Sequence, residues 1–170
     1  MKKLSAGIIV YRKKGASIEV LTAHMGTPWW AKKDIGAWTI PKGGLEEGEQ
    51  PLDAAKREFK EELNLQLPEG ELIELGEIDQ HNNKTVIAWA IEGDPDLSNI
   101  KSNTVEIEWP PRSGKKQSFP EIDRAAWLSL PDAAQKTVRG QAELFERLAE
   151  KLGVEFEPAD AKKPTQSSLF

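Results

Sequence analysis

The spacing of apolar residues along the chain predicts a series of β-strands. Residues 6–12 and 18–25 are rich in isoleucine and valine and are separated by a short Lys-Lys-Gly-Ala turn, which predicts a β-hairpin. The same criteria predict five further strands, at residues 37–40, 72–78, 85–91, 104–109 and 125–130. Residues 26–36 contain glycine and proline without a sustained period, and are therefore predicted to form a loop.

Two stretches follow a helical period instead. One begins near Pro51, which suits a first helical turn, and ends near Asn64, which tolerates a left-handed cap. The other carries an apolar stripe at Leu144, Leu148 and Leu152, and is preceded by a short helical stretch from Pro131. Strands before, between and after helices predict a mixed sheet covered by helices on its faces, an α/β sandwich.

The first helix separates its apolar and acidic residues. At about 100° per residue, one face carries the apolar set Leu52, Ala55, Phe59 and Leu63. Glu58, Glu61 and Glu62 fall together on the flank beside that face. Three carboxylates this close repel one another, so positive charge is expected near them.

That positive charge has two interpretations. Lys56, Arg57 and Lys60 could balance the carboxylates on an ordinary solvated helix, which is the commoner situation for an acidic surface helix. Alternatively, the carboxylates hold Mg²⁺ or Mn²⁺, which prefer oxygen ligands and can bridge phosphate groups. The helix alone favours the first interpretation.

The residues around the helix favour the second interpretation, in which the carboxylates hold a metal ion. Gly43, Glu49 and the run Arg57-Glu58-Phe59-Lys60-Glu61-Glu62-Leu63 are spaced as in the Nudix box, and this part of the chain resembles that motif. The preceding residues, 38–43, resemble the strand and loop that enter the box. The box pattern expects a glycine and an aliphatic residue at its end, where this chain has Asn64 and Leu65. Because Asn adopts positive φ more readily than other non-glycine residues, the departure should cost the helix cap little.

The resemblance to the Nudix hydrolase family implies an α/β/α sandwich with a mixed β-sheet, which we place at residues 1–153. It also implies metal-dependent hydrolysis of a diphosphate linkage in a nucleoside diphosphate derivative, with Mg²⁺ or Mn²⁺ as cofactor. A pyrophosphohydrolase acting on nucleoside triphosphates or dinucleoside polyphosphates is the leading hypothesis. The alternative is a Nudix fold that binds a nucleotide for regulation without turning it over.

Carried onto matching positions, the resemblance implies that Glu58, Glu61 and Glu62 are metal ligands and, with Arg57, form the catalytic set. Arg57 would orient one carboxylate, while Glu49 and the backbone of Gly43 are further metal-site candidates. The general base is left open between box and non-box carboxylates. The candidates are Glu61, Glu62, Glu106, Glu108 and Glu121.

Three residues outside these sets are candidates for substrate binding. Lys42 could contact a phosphate or be an ordinary exposed lysine. Trp29 and Trp30 could stack on a base, although packing in the protein interior is the stronger expectation for two large aromatic residues. Neither His24 nor His81 has a spacing that suggests a catalytic role.

The amino-acid composition limits the cellular location and the binding partners that we expect. The chain has no cysteine and no long apolar run, which predicts a cytoplasmic protein without a membrane anchor. A formal net charge of −5 makes nucleic acid an unlikely main partner and leaves small nucleotides open. Residues 154–170 are predicted to be a flexible tail, whose last five residues, Gln166 to Phe170, resemble peptides that dock into bacterial sliding clamps.

Overall fold

The computed structural model describes residues 3–80 and 83–156, in which the chain forms nine strands and three helices. The strands are β1 (Lys3–Lys14), β2 (Ser17–Met25), β3 (Trp38–Thr39), β4 (Lys42–Gly44), β5 (Ile73–Gln80), β6 (Lys84–Glu92), β7 (Thr104–Glu108), β8 (Lys116–Pro120) and β9 (Ile122–Ser129). The helices are α1 (Pro51–Leu63), α2 (Leu130–Lys136) and α3 (Ala142–Leu152). No described helix is long and apolar enough to cross a membrane.

Seven strands form one mixed sheet with β1 at its centre. The order along its main path is β3-β2-β1-β6-β5, with β9 paired to β2 and β4 paired to β1. Strand β1 runs antiparallel to β2 and parallel to β6, with Ala6 opposite Ile87. The mixed sheet predicted from the sequence is therefore confirmed.

Both faces of the sheet are buried, because successive side chains of β1 point to opposite sides. Ile8 and Val10 pack on the α1 face, whereas Ile9 and Tyr11 pack on the face covered by α2 and α3. The predicted apolar stripe of α1 faces the sheet, with Ala55, Phe59 and Leu63 fully buried. These layers confirm the predicted α/β/α sandwich.

Three local expectations need correction. Residues 42–44, expected to be loop, form the short strand β4, because Gly7 of β1 lies directly opposite Lys42. The strand expected at residues 104–109 exists as β7, but it pairs with β8, which the sequence did not predict. This pair forms a separate two-stranded sheet, since its strands have no described pairing with the main sheet. The strand expected at 125–130 begins earlier, at Ile122.

A buried glutamine ties the sheet to the start of α3. Gln141 is fully buried, and its side-chain oxygen accepts the backbone N–H of Ile40 at 3.1 Å. Its amide nitrogen donates to Thr39 Oγ1 and to Gln80 Oε1, both at 3.0 Å. Buried polar groups need hydrogen-bond partners, so the network specifies how β3, β5 and α3 fit together.

Helix α1 ends as the sequence predicted. Asn64 adopts a left-handed conformation with φ of 56° and ψ of 36°, and its N–H donates to the carbonyl of Lys60 at 2.8 Å. Asparagine therefore fills a position at which glycine is favoured.

We expect Asn64→Gly to raise the free energy of unfolding by up to about 1 kcal/mol, because glycine has no Cβ to strain this conformation. Asn64→Ala should lower it by about 1 kcal/mol for the opposite reason. Chemical denaturation of both variants tests this expectation, with the exposed neighbour Gln66→Ala as the control. Equal stability of the glycine and alanine variants would contradict it.

Candidate active site

The acidic flank of α1, which consists of Glu58, Glu61 and Glu62, lies against strand β4. The backbone of Gly43 approaches the Glu58 side chain so closely that a Cβ on residue 43 would overlap the Glu58 carboxylate. Any larger residue at this position would therefore displace the Glu58 carboxylate from the place that it occupies here. The arrangement places the Gly43 backbone beside a carboxylate that the sequence analysis selected as a metal ligand.

Arg57 gathers the neighbouring carboxylates. Its Nε and Nη2 donate to the two oxygens of Glu49, at 2.8 and 2.9 Å, in a bidentate pair. Its Nη1 donates to Glu58 at 2.9 Å and to Glu61 at 3.2 Å. The hydrogen bond to Arg57 lowers the pKa of Glu49 to about 2, so this carboxylate is ionised throughout the neutral range. Arg57 thus orients three acidic side chains, where the sequence analysis expected one.

Glu49 is placed to support the site. Both of its oxygens contact Arg57, and Oε1 also accepts the N–H of Glu46 at 2.9 Å. Arg57 additionally donates to the carbonyl of Gly44 at 2.9 Å. These bonds fix the loop between β4 and α1 around the arginine.

Glu62 lies on the side of the acidic flank that faces the sheet. Its Oε1 accepts the backbone N–H of Lys42 at 3.2 Å. Burial, opposed by the Lys42 charge and reinforced by the negative charge of Glu58, raises the pKa of Glu62 to about 8. Burial also lowers the pKa of Lys42, and the neighbouring Lys84 adds to this effect. The site is therefore partly desolvated and contains charges of both signs.

Glu121 joins the acidic flank from a distant part of the sequence. Partial burial, followed by repulsion from Glu58 and Glu61, raises its pKa. The other two carboxylates considered outside the box are Glu106 and Glu108. They alternate along β7 with Val105 and Ile107, and it is these two apolar residues that face a cavity next to the acidic flank. Glu108 instead accepts the N–H of Gly114 at the hairpin turn, at 2.7 Å. Of these three residues, the structure brings only Glu121 to the site.

A cavity of about 810 Å³ adjoins the acidic flank. Glu62 and Glu121 line the part nearest the helix, and three cations also line the cavity: Lys42, Lys84 and Arg139. Lys84 and Arg139 were missed by the sequence analysis, because nothing in their local sequence distinguishes them from surface cations. This cavity is large enough for a small organic ligand and has charges suited to phosphate groups.

Trp29 and Trp30 line the same cavity. The expectation that both pack in the protein interior is wrong for Trp29, which is 50% exposed. Trp29 contacts Trp109 edge-on, with ring centroids 5.8 Å apart. An exposed aromatic ring in a cavity that is also lined by three cations is suited to stacking on a nucleobase.

The donor set has the chemistry that a divalent cation requires. Carboxylate oxygens of Glu58, Glu61 and Glu62 lie on one flank, where burial is the main cause of the raised pKa of Glu62 and repulsion from Glu58 adds to it. In the described part of the chain, however, no three acidic or histidine side chains are arranged around one point. The reason is visible at Arg57, which turns Glu58 and Glu61 toward itself. The residue types fit a hard cation, and side-chain rotation would be needed to surround it.

The proposed clamp-docking peptide, residues 166–170, lies outside the described residues, as do residues 157–165 of the predicted tail. Both expectations stay predictions.

The NUDIX domain family model matches residues 1–148, and the chain therefore belongs to the NUDIX family. Family membership and the following two relatives confirm the prediction that the chain is a Nudix-type pyrophosphohydrolase. The asymmetrical bis(5'-nucleosyl)-tetraphosphatase of Mus musculus is 30% identical over 142 residues, which cover 77% of this chain and 82% of the mouse protein. An RNA pyrophosphohydrolase of Bartonella bacilliformis is 55% identical over 63 residues, or 31% of this chain and 36% of that protein.

Solved structures show the same fold. The Ap4A hydrolase of Caenorhabditis elegans, in a binary complex, matches with a TM-score of 0.61 and 24% identity over 88% of this chain and 98% of that chain. The NUDIX domain of Shewanella oneidensis NrtR, complexed with ADP ribose, matches with a TM-score of 0.61 and 13% identity over 89% of each chain.

The raised pKa of Glu62 predicts a pH-dependent stability in metal-free protein. Its pKa is about 8 in the folded state, against an ordinary value of 4.5 in the unfolded chain, so the folded state binds more protons between these values. Stability should therefore fall as pH rises from about 4.5 to about 8. Glu62→Gln should reduce this fall, because an amide does not ionise.

Thermal unfolding in the presence of a chelator, at about pH 5.5 and about pH 8.5, measures the effect. The exposed Glu74→Gln on β5 is the matched control and should keep the wild-type pH dependence. The same pH dependence in Glu62→Gln and wild type would show that the Glu62 carboxyl group is not the source.

Proposed function

We propose that this protein hydrolyses a diphosphate linkage in a nucleoside polyphosphate, using Mg²⁺ or Mn²⁺ held on the acidic flank of α1. The observation that carries the proposal is the placement of this flank beside a cavity that combines cations with exposed aromatic surface. Membership of the NUDIX family supports the reaction type.

Glu58, Glu61 and Glu62 would hold the metal, with the backbone of Gly43 as a further oxygen ligand. When bound, a divalent ion neutralises phosphate charge and lowers the pKa of a coordinated water. Metal binding would draw Glu58 and Glu61 away from Arg57 Nη1, while the bidentate pair with Glu49 keeps the arginine in place. Glu49 therefore acts in this proposal as a support for Arg57.

The cavity would bind the rest of the substrate. Lys42, Lys84 and Arg139 would contact phosphate oxygens beyond the scissile linkage, since each is a cation that lines the cavity. Trp29 and Trp30 would provide the surface on which the base stacks. In this division the diphosphate would lie at the carboxylates and the nucleoside at Trp29 and Trp30.

Glu121 is our choice for the general base. It lines the cavity next to Glu62, and its raised pKa increases its affinity for the proton released by the attacking water. Glu61 and Glu62 are less suitable in this scheme because they are already assigned to the metal.

A dinucleoside polyphosphate is the substrate class best supported. The mouse relative, which the alignment covers for most of its length, is named as a tetraphosphatase of this class. The match to RNA pyrophosphohydrolases is confined to about a third of this chain, so it supports the chemistry more than the substrate.

The first experiment measures phosphate-containing products from nucleoside triphosphates, dinucleoside polyphosphates and nucleotide sugars, with Mg²⁺, with Mn²⁺ and with a chelator. Wild type should turn over at least one of them only with metal. Glu58→Gln and Glu61→Gln should lower kcat by about 10² or more, because each removes a charged ligand. Glu74→Gln should leave kcat unchanged.

Turnover that persists in both ligand variants would refute the metal site on α1. Nucleotide binding without any turnover in wild type would instead favour the regulatory module that the sequence analysis kept as the alternative.

The assignment of Glu121 as the general base can be tested separately from the metal site. Glu121→Gln should lower kcat by about 10² to 10⁴ while the apparent affinity for Mg²⁺ stays close to that of wild type. Glu108→Gln, which changes a carboxylate at the nearby hairpin turn, is the matched control and should retain kcat. Equal activity of the two variants would exclude Glu121 as the base.

A further inference from the structure

His24 is a fully buried histidine with a partner at each ring nitrogen. It lies near the end of β2, where Nδ1 is 2.8 Å from Asp123 Oδ1 and Nε2 is 2.6 Å from the carbonyl oxygen of Lys33. The edge of its ring contacts Trp38, with centroids 4.9 Å apart. None of these contacts belongs to the acidic flank of α1.

Both partners of His24 are hydrogen-bond acceptors. A backbone carbonyl has no proton to donate, and the same Asp123 oxygen also accepts from Arg124 at 3.3 Å, which favours the ionised carboxylate. A neutral imidazole carries one N–H and could satisfy only one of these two acceptors. A neutral ring would leave one nitrogen facing an acceptor with no proton between them, whereas a ring protonated at both nitrogens forms both hydrogen bonds.

The charged groups around His24 are consistent with an imidazolium. Asp123 faces it from β9, and Asp34 interacts with it through space from the loop of residues 26–36. Two nearby cations share these carboxylates: Arg124 contacts Asp123 and the Trp38 ring, and Lys136 of α2 contacts Asp34 at 3.2 Å. The ammonium group of Lys33 lies over another ring, that of Trp30.

The Lys33 contact links His24 to the cavity. Lys33 gives its carbonyl to the buried ring, and its ammonium group lies 5.1 Å from the centroid of Trp30. Trp30 and its neighbour Trp29 line the cavity from the same loop. The position of this aromatic wall is thus tied to the hydrogen bond at His24 Nε2.

We propose that His24 is a positioning residue which, as a doubly protonated imidazolium paired with Asp123, holds the loop of residues 26–36 so that Trp29 and Trp30 form the nucleoside side of the substrate cavity. The first part of the proposal concerns a protonation state and is independent of catalysis. The second part rests on the proposed function, because it takes this cavity as the substrate site.

Nitrogen NMR of histidine-labelled protein tests the protonation state. The chain has two histidines, so the His81→Gln variant leaves His24 as the only source of ring signals. At neutral pH both His24 ring nitrogens should show an attached proton, and Asp123→Asn should remove one of the two. A single protonated ring nitrogen in the His81→Gln protein would overturn the proposal without reference to any activity.

Steady-state kinetics tests the positioning role. Asp123→Asn keeps the size of the side chain but removes the charge that balances the imidazolium, so His24 can no longer satisfy both acceptors. We expect the KM for the nucleotide substrate to rise about tenfold while kcat stays within about twofold of wild type. The exposed Asp132→Asn on α2 is the matched control and should change neither parameter.

An unchanged KM in Asp123→Asn would overturn the positioning role, as would a loss confined to kcat. If wild type turns over no nucleotide, the proposed function fails, and the dissociation constant for ATP with Mg²⁺ replaces KM in the same comparison. If Asp123→Asn does not fold, the NMR result on the His81→Gln protein still decides the protonation state on which the proposal depends.

Discussion

The packing of α1 against the sheet brings the Glu58 carboxylate into close contact with the Gly43 backbone at the candidate active site. A Cβ on residue 43 would overlap this carboxylate, so the Glu58 side chain would have to leave its present position. The buried residues Ala55 and Phe59 hold the same helix from its other face. Apolar packing therefore sets the position of α1, and a missing side chain allows its acidic flank to come close to the strand.

This close packing concentrates negative charge, and the chain compensates for it only in part. Arg57 contacts Glu49, Glu58 and Glu61, and Lys42 is next to Glu62. Burial, with repulsion from neighbouring carboxylates as a smaller cause, nevertheless raises the pKa values of Glu62 and Glu121. Carboxyl groups whose pKa values are shifted by burial and by neighbouring charges are typical of functional sites.

Much of this site was predictable from the sequence, because its central part is local. Helical periodicity places Glu58, Glu61 and Glu62 on one flank, and the cap at Asn64 follows from the conformational preference of asparagine. Glu121 could not be selected in the same way, since its proximity to α1 depends on strand pairing between β9 and β2. Nothing in the separation of about sixty residues indicates that register.

The fold class was predictable from the sequence, but several individual strands were not. Strand β4 is too short for a period to be visible, and it is defined only by its pairing with β1. Strand β8 is polar and exposed, so its sequence lacks the apolar alternation by which strands are recognised. The exposure of Trp29 was also missed, because the size of an aromatic residue favours burial when its surroundings are unknown.

The separate two-stranded sheet of β7 and β8 has an implication for how this fold can diversify. In the described part of the chain these strands are not paired with the seven-stranded sheet, yet Val105 and Ile107 of β7 line the cavity. The backbone bond from Glu121 N–H to the carbonyl of Asn103, at 2.9 Å, closes the base of the hairpin. A hairpin of different length or sequence could be grafted between these two residues while the sheet and the acidic helix stay intact. In the function proposed above, ligand selectivity would therefore be open to change in a module that is not paired with the main sheet.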